Sequence, residues 1–358
     1  MPLSVVATGG PASGSAPQSL RPDLAANPAV REGVGRMPSC AVRAFTDPDE
    51  YAGSARGTRI EMTITGRGQF AANYTSLDLS RLWMQRFSDS LPRVVHSANR
   101  SGRAIISFLT QSGASLLRNG VEMEPSSIIR WNVGESFFQQ SLGPTASGYM
   151  SLSVEDMVSV GAVVAGCDLT PPKDALTVTP LPPAMARLQR LHAAAGQLAE
   201  DAPTVIAQPE AARGLEQALI EAMVDCLRVG EAAEDRSALR QHAKIMRRFH
   251  RAVEERPDQA IFIPELCTAV GASERTLRTC CQEQLGVSPK RYLMLRRMHL
   301  VRRGLRESAP TVTTVTEVAT RYGFWQFGRF AGEYKSLFGE SPSITLGRPS
   351  EHRRSAVF

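Results

Sequence analysis

IPELCTAVGASERTLRTCCQEQLGVSP, Ile263 to Pro289, and VTEVATRYGFWQFGRFAGEYKSLFGESP, Val315 to Pro342, are two versions of one pattern. Cys267 and Ala319 fill a small-residue slot, and Gly271 and Gly323 a turn, at an offset of 52. Beyond the turn Leu277 answers Phe330, Cys281 answers Tyr334, Gly286 answers Gly339, and Ser288-Pro289 answers Ser341-Pro342, at an offset of 53. The second turn therefore carries one extra residue, near Trp325. Two helices that cross steeply need a small side chain where they touch. The short turn between them favours Gly, which takes φ > 0 at no steric cost. Leu277 and Phe330 anchor the second helix of each pair on the first and leave its opposite face free for a major groove. Unrelated helical hairpins in an all-α core would explain one copy, but not two with matching ends joined by a basic helix.

Local signals agree with the repeat. A helix is predicted over about 241–255, with Ile245, Phe249 and Val253 inward, Arg247, Arg248 and Arg251 outward, and Pro257 ending it. Pro264 stands where a first helical turn tolerates it. Ser273 is a good N-cap, and Thr314 with Glu317 forms a capping box. On the first reading helix Leu277, Cys281 and Leu285 face inward, leaving Glu274, Arg275, Arg278, Thr279 and Gln282 on or near the open face. Arg can donate two hydrogen bonds to guanine O6 and N7, and Thr can bond a base edge or touch a thymine methyl. On the second reading helix Gln326 and Arg329 are the best polar candidates. Arg296, Arg297, Arg302 and Arg303, on the joining helix Ser288–Leu305, are placed either to neutralise phosphates or to pair with neighbouring acids.

Charge follows the same division. The chain of 358 residues has a formal net charge of +6. Residues 242–358 hold 20 Lys+Arg against 11 Asp+Glu, a balance of +9, and the rest of the chain balances at −3. The basic excess lies wholly with the repeated pattern, as expected of a polyanion-binding module on a neutral or acidic partner domain. Six cysteines, at 40, 167, 226, 267, 280 and 281, form no C-x-x-C pair. They read as reduced, intracellular and structural, with Cys281 in a core and Cys280 a bystander. No run approaches 18 apolar residues, and the start lacks a charged segment followed by an apolar run, so neither a membrane span nor a signal peptide is expected.

Residues 1–36, rich in Ala, Pro, Gly and Ser, read as a disordered tail, and 347–358 as a flexible one. Residues 37–180 read as β-rich, a compact barrel or sandwich. Ile60, Met62 and Ile64 alternate with polar residues. Asn119-Gly120 is a hairpin signal, because a type I′ turn needs φ > 0 at both central residues. RAIISFLTQ and SSIIRWNV supply further strands, while LDLSRLWMQRF, from Leu77, fits a strand or a short helix. His96 is alone in this segment, too few ligands for a metal centre. Trp83, Phe87, Trp131 and Phe137 could line a pocket, but core packing is the plainer reading. From Pro183 the spacing turns helical. Met185, Leu188, Leu191, Ala195 and Leu198 share one face, and Leu215, Leu219, Met223, Cys226 and Leu227 another. These stripes could pack on the preceding domain or pair between subunits.

The doubled pattern over about 241–346, with the joining helix SPKRYLMLRRMHLVRRGL, resembles the DNA-binding domain of the AraC/XylS family of bacterial transcription regulators. GFWQFGRF and the following FGESPS look like the branch that includes ethanolamine-operon regulators. The family usually has an aromatic where Cys281 stands and Ala where Cys267 stands, and Cys, a small hydrophobe, can pack in both places. The resemblance implies that Arg275, Arg278 and Thr279 are base readers. Phe327 and Gly328 stand where readers often sit, so the second unit is expected mostly to position the protein on the DNA backbone.

The expected architecture is α+β and multidomain: a β-rich sensor over 37–180, which the resemblance implies is cupin-like, a helical connector over 181–240, for which the resemblance favours dimerisation, and an all-α double helix-turn-helix domain over 241–346. The expected sites are Arg275, Arg278, Thr279, Gln282, Gln326 and Arg329 for bases, and Ser273, Arg296, Arg297, Arg302 and Arg303 for the backbone. No catalytic residue, metal or cofactor is expected, and the effector residues are unassigned. The expected function is a cytoplasmic, ligand-responsive DNA-binding regulator, an activator. Its partners are double-stranded DNA at two adjacent major grooves, a small-molecule effector, a second copy of the chain and RNA polymerase, with no membrane. Rivals are a cupin-type enzyme, a constitutive DNA-binding protein with a degenerate sensor, and a methyl-accepting DNA-repair regulator. The last needs a zinc-holding Cys cluster near its start, where Cys40 stands alone.

Overall fold

In the computed structural model, alternation in the first half of the chain becomes two antiparallel sheets facing one another. The structure describes residues 37–348, apart from 100–101, 112–114, 135, 229–230, 234–236, 257–258 and 260. The expected tail 1–36, and the other tail from residue 349 on, lie outside the described residues. In chain order the first part comprises β1 (Ser39–Phe45), α1 (Pro48–Gly53), β2 (Thr58–Ile64), β3 (Ala72–Asp78), β4 (Trp83–Asp89), β5 (Arg93–Asn99), β6 (Arg103–Leu109), β7 (Leu116–Arg118), β8 (Val121–Glu122), β9 (Ile128–Arg130), β10 (Ser136–Ser141), β11 (Thr145–Ser153), α2 (Val154–Val160) and β12 (Leu176–Thr179). One sheet runs β1-β3-β4-β11-β6-β9-β12, and the other β2-β5-β10-β7-β8. Asn119 and Gly120 take φ of 46° and 81° between β7 and β8, the conformation their hairpin requires. The ambiguous stretch from Leu77 resolves into the end of β3, a turn and β4, rather than a helix.

Two long helices follow, α3 (Pro182–Asp201) and α5 (Pro209–Arg228), joined by the short α4 (Pro203–Ile206). Their apolar stripes are used inside the chain. Met185, Leu188, Ala195, Leu219, Met223 and Cys226 join one buried cluster with Leu77, Met84, Ile106 and Met150 of the first sheet. A further strand that the sequence did not suggest, β13 (Glu231–Ala233), pairs with β12 at the edge of that sheet.

The C-terminal helices are α6 (Ser237–Glu254), α7 (Ile263–Val270), α8 (Glu274–Leu285), α9 (Pro289–Glu307), α10 (Val315–Arg321), α11 (Phe327–Phe338) and α12 (Pro342–Gly347). Gly271, Gly286, Gly323 and Gly339 all have φ between 64° and 78° at the helix ends the repeat assigned them. Ser273 accepts from Thr276 N–H, and Thr314 with Glu317 closes a capping box. Cys280 is no bystander: like Cys281 it is fully buried, in the cluster that holds Leu266, Leu277 and Phe249. A helix packed on both sides buries adjacent positions, which a single-stripe reading does not anticipate.

From Met37 onward the chain forms one compact unit. The second sheet divides its side chains by strand period between two neighbours. Ile60 and Met62 of β2, Val95 and Ser97 of β5, and Phe137 and Gln139 of β10 line an internal cavity. Their alternates meet the helices. Val94 and Phe138 join the core of the first unit beside Phe249 and Tyr292. Gln140 presses on the helix end at Gly286 so closely that a Cβ there would fall 1.8 Å from its Nε2. His96 lies against His250 of α6, with ring centroids 4.1 Å apart, and so faces away from the cavity.

The joining helix α9 is bolted to the same β region. Ile64 N–H donates to His299 Nε2 at 3.0 Å, and Arg296 Nε donates to Glu61 Oε1 at 3.0 Å. Arg302 and Arg306 both pair with Asp47, the N-cap of α1, and Arg306 also pairs with Glu50. Burial alone would raise the Asp47 carboxyl, but the two guanidiniums hold it below its usual range. Arg302→Ala would leave Asp47 with one fewer cation in a buried setting. It should destabilise the folded chain by ~3–5 kcal/mol, read as a lower urea midpoint, because breaking one partner of a buried pair strands the other. An effect below ~1 kcal/mol would show the pair to be solvated.

Burial, reinforced by Arg302 and Arg303, pushes the His299 imidazole down to about 3, and burial with Arg86 does the same for His192. Both are therefore neutral in the folded state and resist protonation. The unfolded chain takes up those protons near its ordinary value of about 6.5. Stability is full above that pH and falls as pH drops from about 6.5 toward about 3, by up to ~1.4 kcal/mol per unit for each group. The melting temperature should fall steeply between pH 7 and pH 5. His299→Gln, whose amide oxygen can still accept from Ile64 N–H, should flatten the slope by one proton, and an unchanged slope would contradict the buried neutral assignment.

Candidate nucleic-acid interface

Two helix pairs and one joining helix build the candidate interface. α7 and α8 form the first unit and α10 and α11 the second, with α9 between them. In the first unit Leu277, Cys281 and Leu285 are fully buried, which turns the other side of α8 to solvent. Arg275, Arg278, Thr279 and Gln282 are all exposed there. Arg278 leans on Glu274 at 3.4 Å, a solvated pair that a phosphate or base edge could displace. Thr279 Oγ1 donates to Arg275 O at 3.3 Å, and Gln282 Nε2 to Gly286 O at 3.2 Å, both within their own helix. Ser273 is exposed, and its hydroxyl caps α8.

The joining helix departs from expectation. Arg296 and Arg302 were expected to face phosphates, but both are buried. Arg296 donates to Glu61 and to the carbonyls of Gln259 and Arg256, and Arg302 pairs with Asp47. Arg303 lies 3.6 Å from Asp49. Arg297 reaches the second turn, where Nη1 donates to Gly323 O at 3.4 Å and the guanidinium sits 5.0 Å over the Phe324 ring. The physical reason is that α9 has neighbours on nearly all sides. Its cations neutralise the acids of α1 and β2 and tie the two units together. The alternative of pairing with neighbouring acids is the one the geometry adopts.

The exposed cations of α9 are instead at its start. Lys290 and Arg291 are exposed in the first turn, and Lys290 lines a groove with Glu274, Arg278, Thr279, Gln282 and Ser288. A signal for them was present: cations at a helix N-terminus oppose the helix dipole, so they do not serve α9 itself. In the second unit Gln326 and Arg329 are exposed, and Arg329 pairs with Glu333 one turn on, at 2.9 Å.

The cavity between the sheets contains about 850 Å³ of space not filled by atoms, its open mouth included. Trp83, Phe87, Trp131 and Phe137 all line it, and Trp131 and Phe137 also belong to a buried apolar cluster, as core packing would have it. Trp131 stacks on Phe137 at 3.7 Å, and its Nε1 donates to Ser107 Oγ at 2.8 Å. Polar side chains are set into the wall. Arg93 pairs with Asp89 at 2.8 Å and donates to Thr145 at 2.9 Å, and Tyr51, Gln139 and Tyr149 lie among the lining residues. Among the described residues no group of three His, Cys, Asp or Glu could hold a metal ion, and no helix is long and apolar enough to cross a membrane.

Comparison with known proteins places the helices. A family described as "Helix-turn-helix domain" matches residues 266–348. The "Probable thc operon regulatory protein" of Rhodococcus erythropolis is 42% identical over 94 residues, covering 26% of this chain and 28% of the relative. The "XylDLEGF operon transcriptional activator 3" of Pseudomonas putida is 38% identical over 96 residues, covering 27% and 29%. The chain thus spans under a third of the length of these two relatives. Among solved structures, an AraC family regulator from Rhodopseudomonas palustris CGA009 is 33% identical, with 29% of this chain and 98% of that chain covered and a TM-score of 0.27. ToxT from Vibrio cholerae is 12% identical, with 87% and 98% covered and a TM-score of 0.25. The C-terminal pair of helix-turn-helix units is thus a domain of the AraC type, shared with these transcription regulators.

Proposed function

We propose that this chain is a transcription activator that reads two successive major-groove elements with α8 and α11 and responds to a small molecule held between its β-sheets. The observation that carries the reading is the pair of exposed reading helices fixed to one rigid joining helix. At 1.5 Å per residue the 19 residues of α9 span ~28 Å, and with the adjoining turns that suits reading helices ~34 Å apart, one turn of DNA. Arg275, Arg278, Thr279 and Gln282 are assigned to bases, and Ser273, Lys290 and Arg291 to phosphates. A second copy of the chain and RNA polymerase complete the set of partners by family analogy alone.

The effector reading rests on the cavity. Its wall is mainly apolar and aromatic, with a small polar group around Arg93, Asp89 and Tyr149, the usual make-up of a small-molecule pocket. The strands that line it also touch α6, α8 and α9. A ligand that fits only one arrangement of those strands biases the helices too, and only its preference between arrangements counts.

Selection from random DNA with the full-length chain should recover two elements about 10 base pairs apart, with binding weakened by salt. Recovery of a single element would reject the two-groove reading. On the recovered site Arg275→Ala should cost ~1–3 kcal/mol and relax one base position of the first element. A uniform loss across all sequences would move Arg275 to the phosphates. Ser147→Phe, which places a ring in the cavity, should abolish the fluorescence enhancement of anilinonaphthalene sulfonate. Unchanged dye binding would locate that probe elsewhere.

A further inference from the structure

The two reading helices have the same length and opposite surface chemistry. By the offset of 53, Arg275, Arg278, Thr279 and Gln282 of α8 correspond to Gly328, Ala331, Gly332 and Lys335 of α11. Three of the four polar positions are therefore Gly or Ala. A Cβ built at Gly328 or Gly332 would meet nothing within 4 Å, so that side of α11 is open. Beside it stand two large apolar side chains: Trp325, in the turn that carries the extra residue, is 73% exposed, and Phe327, the first residue of α11, is 38% exposed. Neither has a core to fill, since Phe324, Phe330 and Tyr334 already pack the inside of this unit.

We propose that Trp325 and Phe327 recognise thymines by their C5-methyl groups in the major groove, so that the second unit discriminates by apolar contact. The inference rests on the DNA-reading function proposed above and deepens it. The charge around the pair fits a polyanion rather than a protein core: Arg321, Arg329 and Lys335 are all exposed on the same unit. α11 also differs from α8 at its start. Ser273 caps α8 with its hydroxyl, whereas Gln326 makes no side-chain cap on α11, leaving the first N–H groups to a phosphate oxygen. Small residues at Gly328 and Gly332 let the helix approach the groove floor, and the flanking rings then reach the methyl groups. In the major groove a thymine differs from every other base by that methyl, so apolar contact alone suffices to distinguish it.

The test uses the full-length chain on a duplex it has selected from random sequence, with each thymine of the second element replaced in turn by deoxyuridine. That change removes the methyl and leaves the Watson–Crick pairing intact. One or two positions should weaken binding by ~4-fold, the worth of one buried methyl group. Trp325→Ala and Phe327→Ala should bind more weakly and lose that sensitivity, while their response to deoxyuridine in the first element stays that of the natural chain. Both side chains are solvent-facing, and an unchanged melting temperature checks that the variants fold. Tolerance of deoxyuridine throughout the second element overturns the proposal. So does an undiminished sensitivity in both variants, or full DNA affinity with lost transcription in a purified system, which would assign the pair to a protein partner. Arg275→Ala serves as the control. If it relaxes the first element while the second is indifferent to methyl groups, only this inference fails; if it too has no effect, the DNA-reading assignment falls.

Discussion

The contact between α9 and the β region, centred on Asp47, Ile64 and Glu61, constrains everything around it. One buried and one half-buried guanidinium meet one capping carboxylate, and a backbone N–H at the end of β2 is satisfied by a histidine 235 residues away. A buried donor left without a partner costs ~1–3 kcal/mol, so the end of β2 and the middle of α9 hold each other in register. With α9 fixed, both helix-turn-helix units are fixed, because each packs its core against a part of that helix: Tyr292 and Leu293 in the first, Leu300, Val301 and Leu305 in the second.

The period-two geometry of strands sets this contact back to back with the cavity. Successive residues of β2 alternate between cavity and helix: Ile60 and Met62 line the cavity, while Glu61 holds Arg296. α1 does the same on a smaller scale, with Tyr51 and Ala52 on the cavity and Asp49 and Glu50 beside the arginines of α9. One strand thus forms a wall of the cavity on one face and a contact with the helices on the other. Close packing makes that wall stiff, so a displacement on one side is not absorbed within it.

The repeat shows how far one backbone can be reused with different chemistry. Both units keep the small residue, the turn glycine, the inward anchor, the αL helix end and the Ser-Pro start of the next helix. What varies is the outward face, which folding leaves unconstrained. The first unit spends that face on arginine, threonine and glutamine, and the second on glycine, alanine and two aromatics.

The sequence by itself determined what depends on neighbours along the chain. Caps, glycine turns, the Asn119-Gly120 hairpin and the inward faces of α6, α8 and α11 follow from periodicity and local sterics, and all were legible. So were Arg275, Arg278, Thr279 and Gln282 as exposed side chains, because exposure on a helix follows once its buried stripe is known. Tertiary structure alone decided the partners of charges and the surroundings of aromatics. RRMHLVRR reads as a basic surface helix, and only the placement of α1 and β2 against it turns Arg296 and Arg302 inward. Trp83, Phe87, Trp131 and Phe137 look like core until two sheets leave a space between them, and Cys280 looks idle until α8 is packed on both sides. The reason is one of range: backbone conformation is set over a few residues, whereas an ion pair such as Glu50 with Arg306, 256 residues apart, or a cavity is made by groups whose meeting no local pattern records.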